Sequence, residues 1–261
     1  IINGMPLGFA NIVRRGTVGI IAASGTGLQH VACLLDRSGV GISQAIGTGG
    51  RDLSDVVGGT TMLRAIEMLS QDSGTESLVL ISKPPGKAVA SKVIERAGRA
   101  GKPVIVAFIG LEAPAEAPDN VTFADTLEDA AAFAVGVEAP PSTIDAATIV
   151  KLAGGFAATQ RLLVGLYSGG TFCAETKAIA APILGNMSPI GGTKTDEHVI
   201  LDLGDDVYTR GRPHPMIDFE MRTKHIRAAA EDEKTAMILL DVVLGCGVHP
   251  DPASVLVPVI E

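Results

Sequence analysis

A chain of 261 residues has room for about two domains of ordinary size. Hydrophobic residues make up 46%, aromatics only 3%, and tryptophan is absent, so any core must be built from Ala, Val, Ile and Leu; with 31 glycines, that suits strands covered by helices and joined by tight turns. The formal net charge of -8, with no run of Lys and Arg, argues against a nucleic-acid surface, and no apolar run reaches the roughly 20 residues that cross a bilayer, so neither nucleic acid nor membrane is expected as a partner.

The N-terminal half alternates strand and helix. Residues 18–22 form a short apolar strand, Ser24-Gly25-Thr26-Gly27 a turn, and residues 28–35 a helix that Gly39 ends. ISQAIGTGGRDL reads as a strand entering a glycine-rich turn, and residues 60–71 as a helix with Met62, Ile66 and Leu69 on one face. SLVLISKPP is a strand stopped by two prolines, residues 88–100 a helix, PVIVAFIGL a strand and LEDAAAFAVGV a closing helix. Such alternation predicts a parallel sheet with helices on both faces and right-handed crossovers. These elements define a first domain over residues 1–137. The polar, proline-bearing EAPPSTIDAAT opens a linker region over 138–160, and a second domain follows over 161–261.

The second domain repeats the first. RLLVGLYSGGTFCAETKAIA matches VGIIAASGTGLQHVACLL, VILDLGDD matches ISQAIGTGGRDL, and TAMILLDVVLGCGVHPDPAS matches ESLVLISKPPGKAVAS. The copy lacks the last helix and strand of the original. Cys33, Cys173 and Cys246 are far apart, odd in number and in apolar settings, which predicts buried reduced thiols and a cytoplasmic protein. The termini, IINGMPLGFAN and VLVPVIE, read as cut from something longer.

Open parallel sheets bind ligands at the carboxyl ends of their strands, so the strand-to-helix turns are the candidate sites. At Ser24, Gly25 and Thr26, glycine lets the backbone approach an anion, the first N–H groups of the helix point at it, and two hydroxyls can donate. That describes a phosphate cradle, and equally a serine that only caps its helix. Ser168, Gly169, Gly170 and Thr171 repeat the pattern in the second copy. Gly47, Gly49 and Gly50, followed by Arg51, could take a carboxylate or phosphate bidentately, or form a turn held by Arg51 and Asp55.

The stretch LDLGDDVYTRGRPHPMID is the most polar loop in the chain. Its prolines fix the backbone around His214, which could act as a general acid or base, while Arg210 and Arg212 could clamp an anion. Asp205 and Asp206 could hold Mg2+ or orient the arginines. The same residues could instead form a surface salt-bridge network. His30 and His225 sit in helical patterns and read as structural, whereas His249 lies on a turn able to face the same cleft.

Taken together, GTVGIIAASGTGLQ, AIGTGGRDLS, LVLISKPP and LGDDVYTRGRPHPMID resemble the FdrA family, whose members are labelled acyl-CoA synthetases and are similar to the succinyl-CoA synthetase alpha subunit. The resemblance covers essentially the whole chain. It implies two tandem doubly wound, flavodoxin-like α/β domains, the second incomplete, and a CoA-binding-like domain lying before this chain begins. It also implies a phosphate bound at Ser24, Gly25 and Thr26. The alpha subunit's phosphorylated histidine would fall in LEAPAEAPDN, which has none, and its supporting glutamate in SKPPGK, which has Lys83 and no acid. Some family members belong to an oxamate carbamoyltransferase of allantoin and oxalurate breakdown.

The expected function is therefore an enzyme subunit that moves an acyl or carbamoyl group to or from phosphate, acting on a small carboxylate with other subunits or as a homo-oligomer. A nucleoside-diphosphate-forming acyl-CoA synthetase using CoA, with His214 in place of the lost phosphohistidine, is the second reading. A non-catalytic scaffold is the third.

Overall fold

A computed structural model describes residues 1–8, 11–137, 145–185, 187–188 and 196–261. It divides into two compact units, one of Ile1–Ala139 with Gly245–Gly247 and one of Pro140–Leu244 with Val248–Glu261.

The first unit runs β1 (Arg15–Ala22), α1 (Gly25–Arg37), β2 (Ile42–Gly47), α2 (Thr60–Gln71), β3 (Ser77–Ser82), α3 (Lys87–Gly98), β4 (Val104–Phe108), β5 (Val121–Phe123) and α4 (Leu127–Val135). All five strands are parallel, in the order β2-β1-β3-β4-β5. The order reverses beside β1, so β2 lies on one side of it and β3 on the other. This is a flavodoxin-like arrangement, and its crevice lies outside the carboxyl ends of β1 and β3. The central strands are buried on both faces, which is why they read as continuous Val, Ile and Leu rather than as alternation. Met62, Ile66 and Leu69 of α2 pack with Leu78 and Leu80 of β3 and with Val89 and Val93 of α3. Each such aliphatic side chain contributes about 1.5–3 kcal/mol on burial.

The second unit runs α5 (Ala146–Ala153), β6 (Leu162–Tyr167), α6 (Gly170–Leu184), β7 (Met187–Ser188), β8 (His198–Asp202), α7 (Asp206–Thr209), α8 (Glu220–Ala230), β9 (Thr235–Leu240) and α9 (Ala253–Ile260). Its parallel sheet has the order β7-β8-β6-β9. The arrangement β8-β6-β9 reproduces β2-β1-β3, so the internal repeat read from the sequence is also a repeat of topology. Of the region expected as linker, residues 138–144 lie outside the described residues, and 146–153 form α5, capped by Asp145, whose Oδ1 accepts from Thr148 N–H at 2.8 Å. No helix among the described residues is long and apolar enough to cross a membrane.

The thiols are less uniform than the sequence suggests. None of the three forms a disulfide among the described residues, and only Cys173 is buried; Cys33 is half-buried and Cys246 exposed, because Cys246 sits among glycines on a loop and not on an apolar face.

Candidate functional site

In the first unit the turn after β1 is built as an anion cradle. Ser24 takes an extended backbone, and its Oγ accepts from Gly27 N–H at 3.1 Å, which satisfies one of the orphan donors at the start of α1. Among the described residues the N–H groups of Gly25 and Thr26 have no hydrogen-bond partner. The two hydroxyls, Ser24 Oγ and Thr26 Oγ1, lie 3.5 Å apart. The glycine loop after β2 closes over the same turn. Thr48 N–H donates to Ala22 O at 2.8 Å, and a Cβ on Gly50 would lie 3.8 Å from Ala23 O. Thr48 Oγ1 is a buried hydroxyl with no partner among the described residues. The structure thus brings Ser24, Gly25 and Thr26 together with Gly49 and Gly50. Arg51 is exposed. Capping and anion binding are not exclusive here, since Ser24 occupies only the Gly27 donor.

The other helices of this unit are also capped by the chain's own side chains. The carboxylate of buried Asp52 accepts from Thr61 N–H at 3.0 Å and Met62 N–H at 2.8 Å, filling the start of α2. Asp55 Oδ1 accepts from Val89 N–H at 3.1 Å in the first turn of α3, so Asp55 serves a helix rather than the arginine beside it in sequence. Thr126 caps α4 through Asp129 N–H at 3.0 Å. What distinguishes the head of α1 is that its two open N–H groups lie beside two hydroxyls and a glycine loop, and a helix head with unpaired N–H groups attracts negative charge.

The second copy differs. Before the head of α6 the expected cradle is already occupied at Ser168 and Gly169, because the carboxylate of Asp241 sits on them. Ser168 N–H donates to Oδ1 at 2.7 Å, Gly169 N–H to Oδ2 at 2.7 Å, and Ser168 Oγ to the two oxygens at 2.9 and 3.0 Å. Arg222 of α8, with a fully buried side chain, adds Nη2 to Oδ1 at 3.2 Å and donates to the carbonyls of Leu166 and Asp241. Burial pushes the Arg222 guanidinium below its ordinary value, and the Asp241 charge opposes that. The reading of Ser168, Gly169, Gly170 and Thr171 as a site for an external phosphate is corrected on this point: four donors are committed to an internal anion. Neither Asp241 nor Arg222 was singled out from the sequence. The readable signal was Arg222 itself, which shares the buried stripe Phe219, Ile226 and Ala229 of an amphipathic helix, where a lone arginine needs a buried acid.

The polar loop after β8 is only partly convergent. Asp205 is the N-cap of α7, its Oδ1 accepting from Val207 N–H at 3.1 Å, and Asp206 is exposed in the first turn. Among the described residues no group of three or more His, Cys, Asp or Glu side chains could hold a metal ion. Arg210 and Arg212 are exposed. Arg212 lines a surface cavity of about 320 Å³ with Pro213, Asp218, Glu220, Met221 and Lys224; Lys224 Nζ is paired with Glu220 at 2.6 Å.

His214 is half-buried at the carboxyl ends of β6 and β8. A Cβ on Gly204 would come within 2.8 Å of its Nε2 and 3.2 Å of Asp202 Oδ1. Burial pushes its imidazole below the ordinary value, while the charges of Asp202 and Asp241 pull it up. His214 Nδ1 accepts from Met216 N–H at 3.3 Å, so the neutral ring presents Nε2–H, a donor to an anion rather than a base. His249 N–H bonds Met216 O at 2.9 Å, which sets the GVHPDP turn beside this loop, and its ring stacks edge-on against Phe219 at 5.3 Å. His225 is half-buried against Tyr208, and His198 accepts from Leu163 N–H at 3.0 Å; both are structural.

Comparison with known proteins agrees with this division. Residues 13–110 match the CoA-binding domain family and residues 166–261 the CoA-ligase family. The first unit is thus itself matched by the CoA-binding family. The chain is 40% identical to the protein YahF of Escherichia coli over 278 aligned positions, covering 100% of this chain and 54% of that protein. It is 36% identical over 106 residues to the succinate–CoA ligase [ADP-forming] subunit alpha of Aquifex aeolicus and to the malate–CoA ligase subunit alpha of Methylorubrum extorquens, covering 40% of this chain and about a third of each subunit. The chain therefore spans about half the length of YahF and a third of the ligase subunits. Its motifs, its two units and these matches make it a member of the FdrA family of acyl-CoA-synthetase-like proteins, related to the succinyl-CoA synthetase alpha subunit.

Proposed function

We propose that the chain is part of an acyl-CoA-synthetase-like enzyme whose first unit holds the phosphoryl oxygens of an acyl phosphate at Ser24, Gly25 and Thr26. The observation that carries this reading is the meeting, at the head of α1, of the Gly25 and Thr26 N–H groups, unpartnered among the described residues, with the Ser24 and Thr26 hydroxyls and the glycine loop after β2. The reaction is acyl transfer. The thiolate of CoA attacks the acyl carbon, the bond from that carbon to the bridging oxygen breaks, and phosphate leaves with the electron pair into the cradle. Donors fixed by the backbone need no reorganisation as that charge develops, so they stabilise the departing phosphate. Within the second unit, the cavity lined by Arg212 and Lys224 is the place proposed for a small carboxylate.

A second reading has carbamoyl phosphate as the acyl phosphate and oxamate nitrogen as the alternative acceptor. It is favoured by the loop LEAPAEAPDN, which has no histidine to carry a phosphoryl group, so in this reading the phosphoryl group arrives or leaves on the substrate itself, as the mixed anhydride. The test is phosphate release from acetyl phosphate or carbamoyl phosphate by the full-length protein, with CoA or oxamate added. CoA-dependent release with thioester formation supports the synthetase, and oxamate-dependent release from carbamoyl phosphate supports the transferase. Release that is unchanged in Ser24→Ala and Thr26→Val overturns the assignment of the cradle.

A further inference from the structure

The two copies place the same backbone around opposite contents. In the first, Ala22 of β1 pairs with Ile81 of β3, and two residues on in β1's direction stands Ser24. In the second, Leu166 of β6 pairs with Leu240 of β9, and two residues on stands Ser168. The residue after the paired one on the third strand is Ser82 in the first copy and Asp241 in the second. Both are buried at the switch point of their sheets. Ser82 is neutral, and the Gly25 N–H of the turn beside it is unpartnered among the described residues; Asp241 is anionic, and its carboxylate takes the Ser168 and Gly169 N–H groups of the turn beside it.

We propose that this one position decides which copy takes an external anion: Asp241 is a built-in ligand that closes the second cradle, and the serine at its counterpart, Ser82, leaves the first open. The closed cradle keeps more donors than a carboxylate can use. Arg222 Nε and Nη1 and Thr171 Oγ1, in side chains fully removed from solvent, have no partner among the described residues. A carboxylate offers two oxygens, whereas a tetrahedral oxyanion offers four, so phosphate fits the emptied site. The charge sum points the same way, since Arg222 without Asp241 is a buried cation in need of an anion. This inference goes beyond the proposed function, and only its first-copy half rests on that reading.

Reciprocal exchange tests it. Binding of inorganic phosphate is measured by titration calorimetry in chloride buffer for the wild type, Asp241→Ser, Ser82→Asp and the double exchange, with melting temperature followed in parallel. The expected stoichiometries per chain are one, two, none and one. Should Asp241→Ser melt too low for titration, Asp241→Asn takes its place, and a melting temperature that rises with phosphate at least several degrees more than in the wild type counts as the gained site. A folded Asp241→Ser and Asp241→Asn that bind no more phosphate than the wild type, with no added thermal response, overturn the inference. Wild type that binds none while Asp241→Ser binds one refutes the first-copy cradle, and with it the proposed function, but leaves Asp241 as the closing ligand.

Discussion

Gly25 offers a way to separate binding from folding at the proposed cradle. It is the first residue of α1, lies outside the left-handed region of the backbone, and a Cβ built on it meets no atom within 4 Å. Gly25→Ala should therefore fold as well as the wild type, and reduced chain entropy adds up to about 1 kcal/mol of stability. The methyl enters the open space beside the unpartnered Gly25 and Thr26 N–H groups. If it costs an anion one charge-assisted hydrogen bond, worth about 1.5–3 kcal/mol, phosphate affinity falls by roughly 10- to 150-fold. Calorimetric titration with phosphate, beside a thermal melt, reads both quantities on the same samples. Gly16→Ala is the contrasting control, because its Cβ would overlap the Val40 carbonyl oxygen and only the fold should suffer. Unchanged phosphate affinity in a fully folded Gly25→Ala protein would refute the placement of the anion at the head of α1.

Three further outcomes follow from the packing and the charges. Arg222→Met strands the Asp241 carboxylate, and breaking such a buried pair costs about 3–5 kcal/mol, so chemical denaturation should show the second unit unfolding at clearly lower denaturant while the first is unaffected. His214, His225 and His30 are all pushed down by burial from an ordinary 6.5, so the unfolded chain binds more protons just below that value; the melting temperature should fall as pH drops from about 7 to 5, and a rise over that range would contradict the burial of these rings. Arg212→Ala should reduce turnover of a carboxylate substrate far more than His225→Ala, since His225 only packs against Tyr208; equal losses in a steady-state assay would remove Arg212 from the site.

The fold was legible where apolar periodicity alone decides it. Residues 60–71 were read as a helix and α2 spans Thr60–Gln71, while the strand read over 18–22 lies inside β1. The repeat was legible too, because two copies of a strand, a small-residue turn and a helix impose the same 2-1-3 strand order. What single stretches could not reveal were contacts across the sheet. Ser24 and Ser168 look alike in sequence, and only the pairing of β6 with β9 shows that Asp241 reaches one of them. Asp55 looked like a partner for Arg51; it caps a helix head instead, as Asp52 does, because a carboxylate one loop away is a ready acceptor for the N–H groups at a helix start. Of the two arginines in the charged loop, both exposed, Arg212 lines the cavity beside Lys224, a convergence that the order of residues in the loop does not show.

The most direct test of the account is a crystal structure of the chain soaked in inorganic phosphate or its heavier analogue tungstate. The account predicts one tetrahedral anion at the head of α1, within hydrogen-bonding distance of the Gly25 and Thr26 N–H groups and of the Ser24 or Thr26 hydroxyl, with the head of α6 still occupied by Asp241. An anion at Ser168 with Asp241 turned away, or an empty turn after β1 at saturating phosphate, would contradict it.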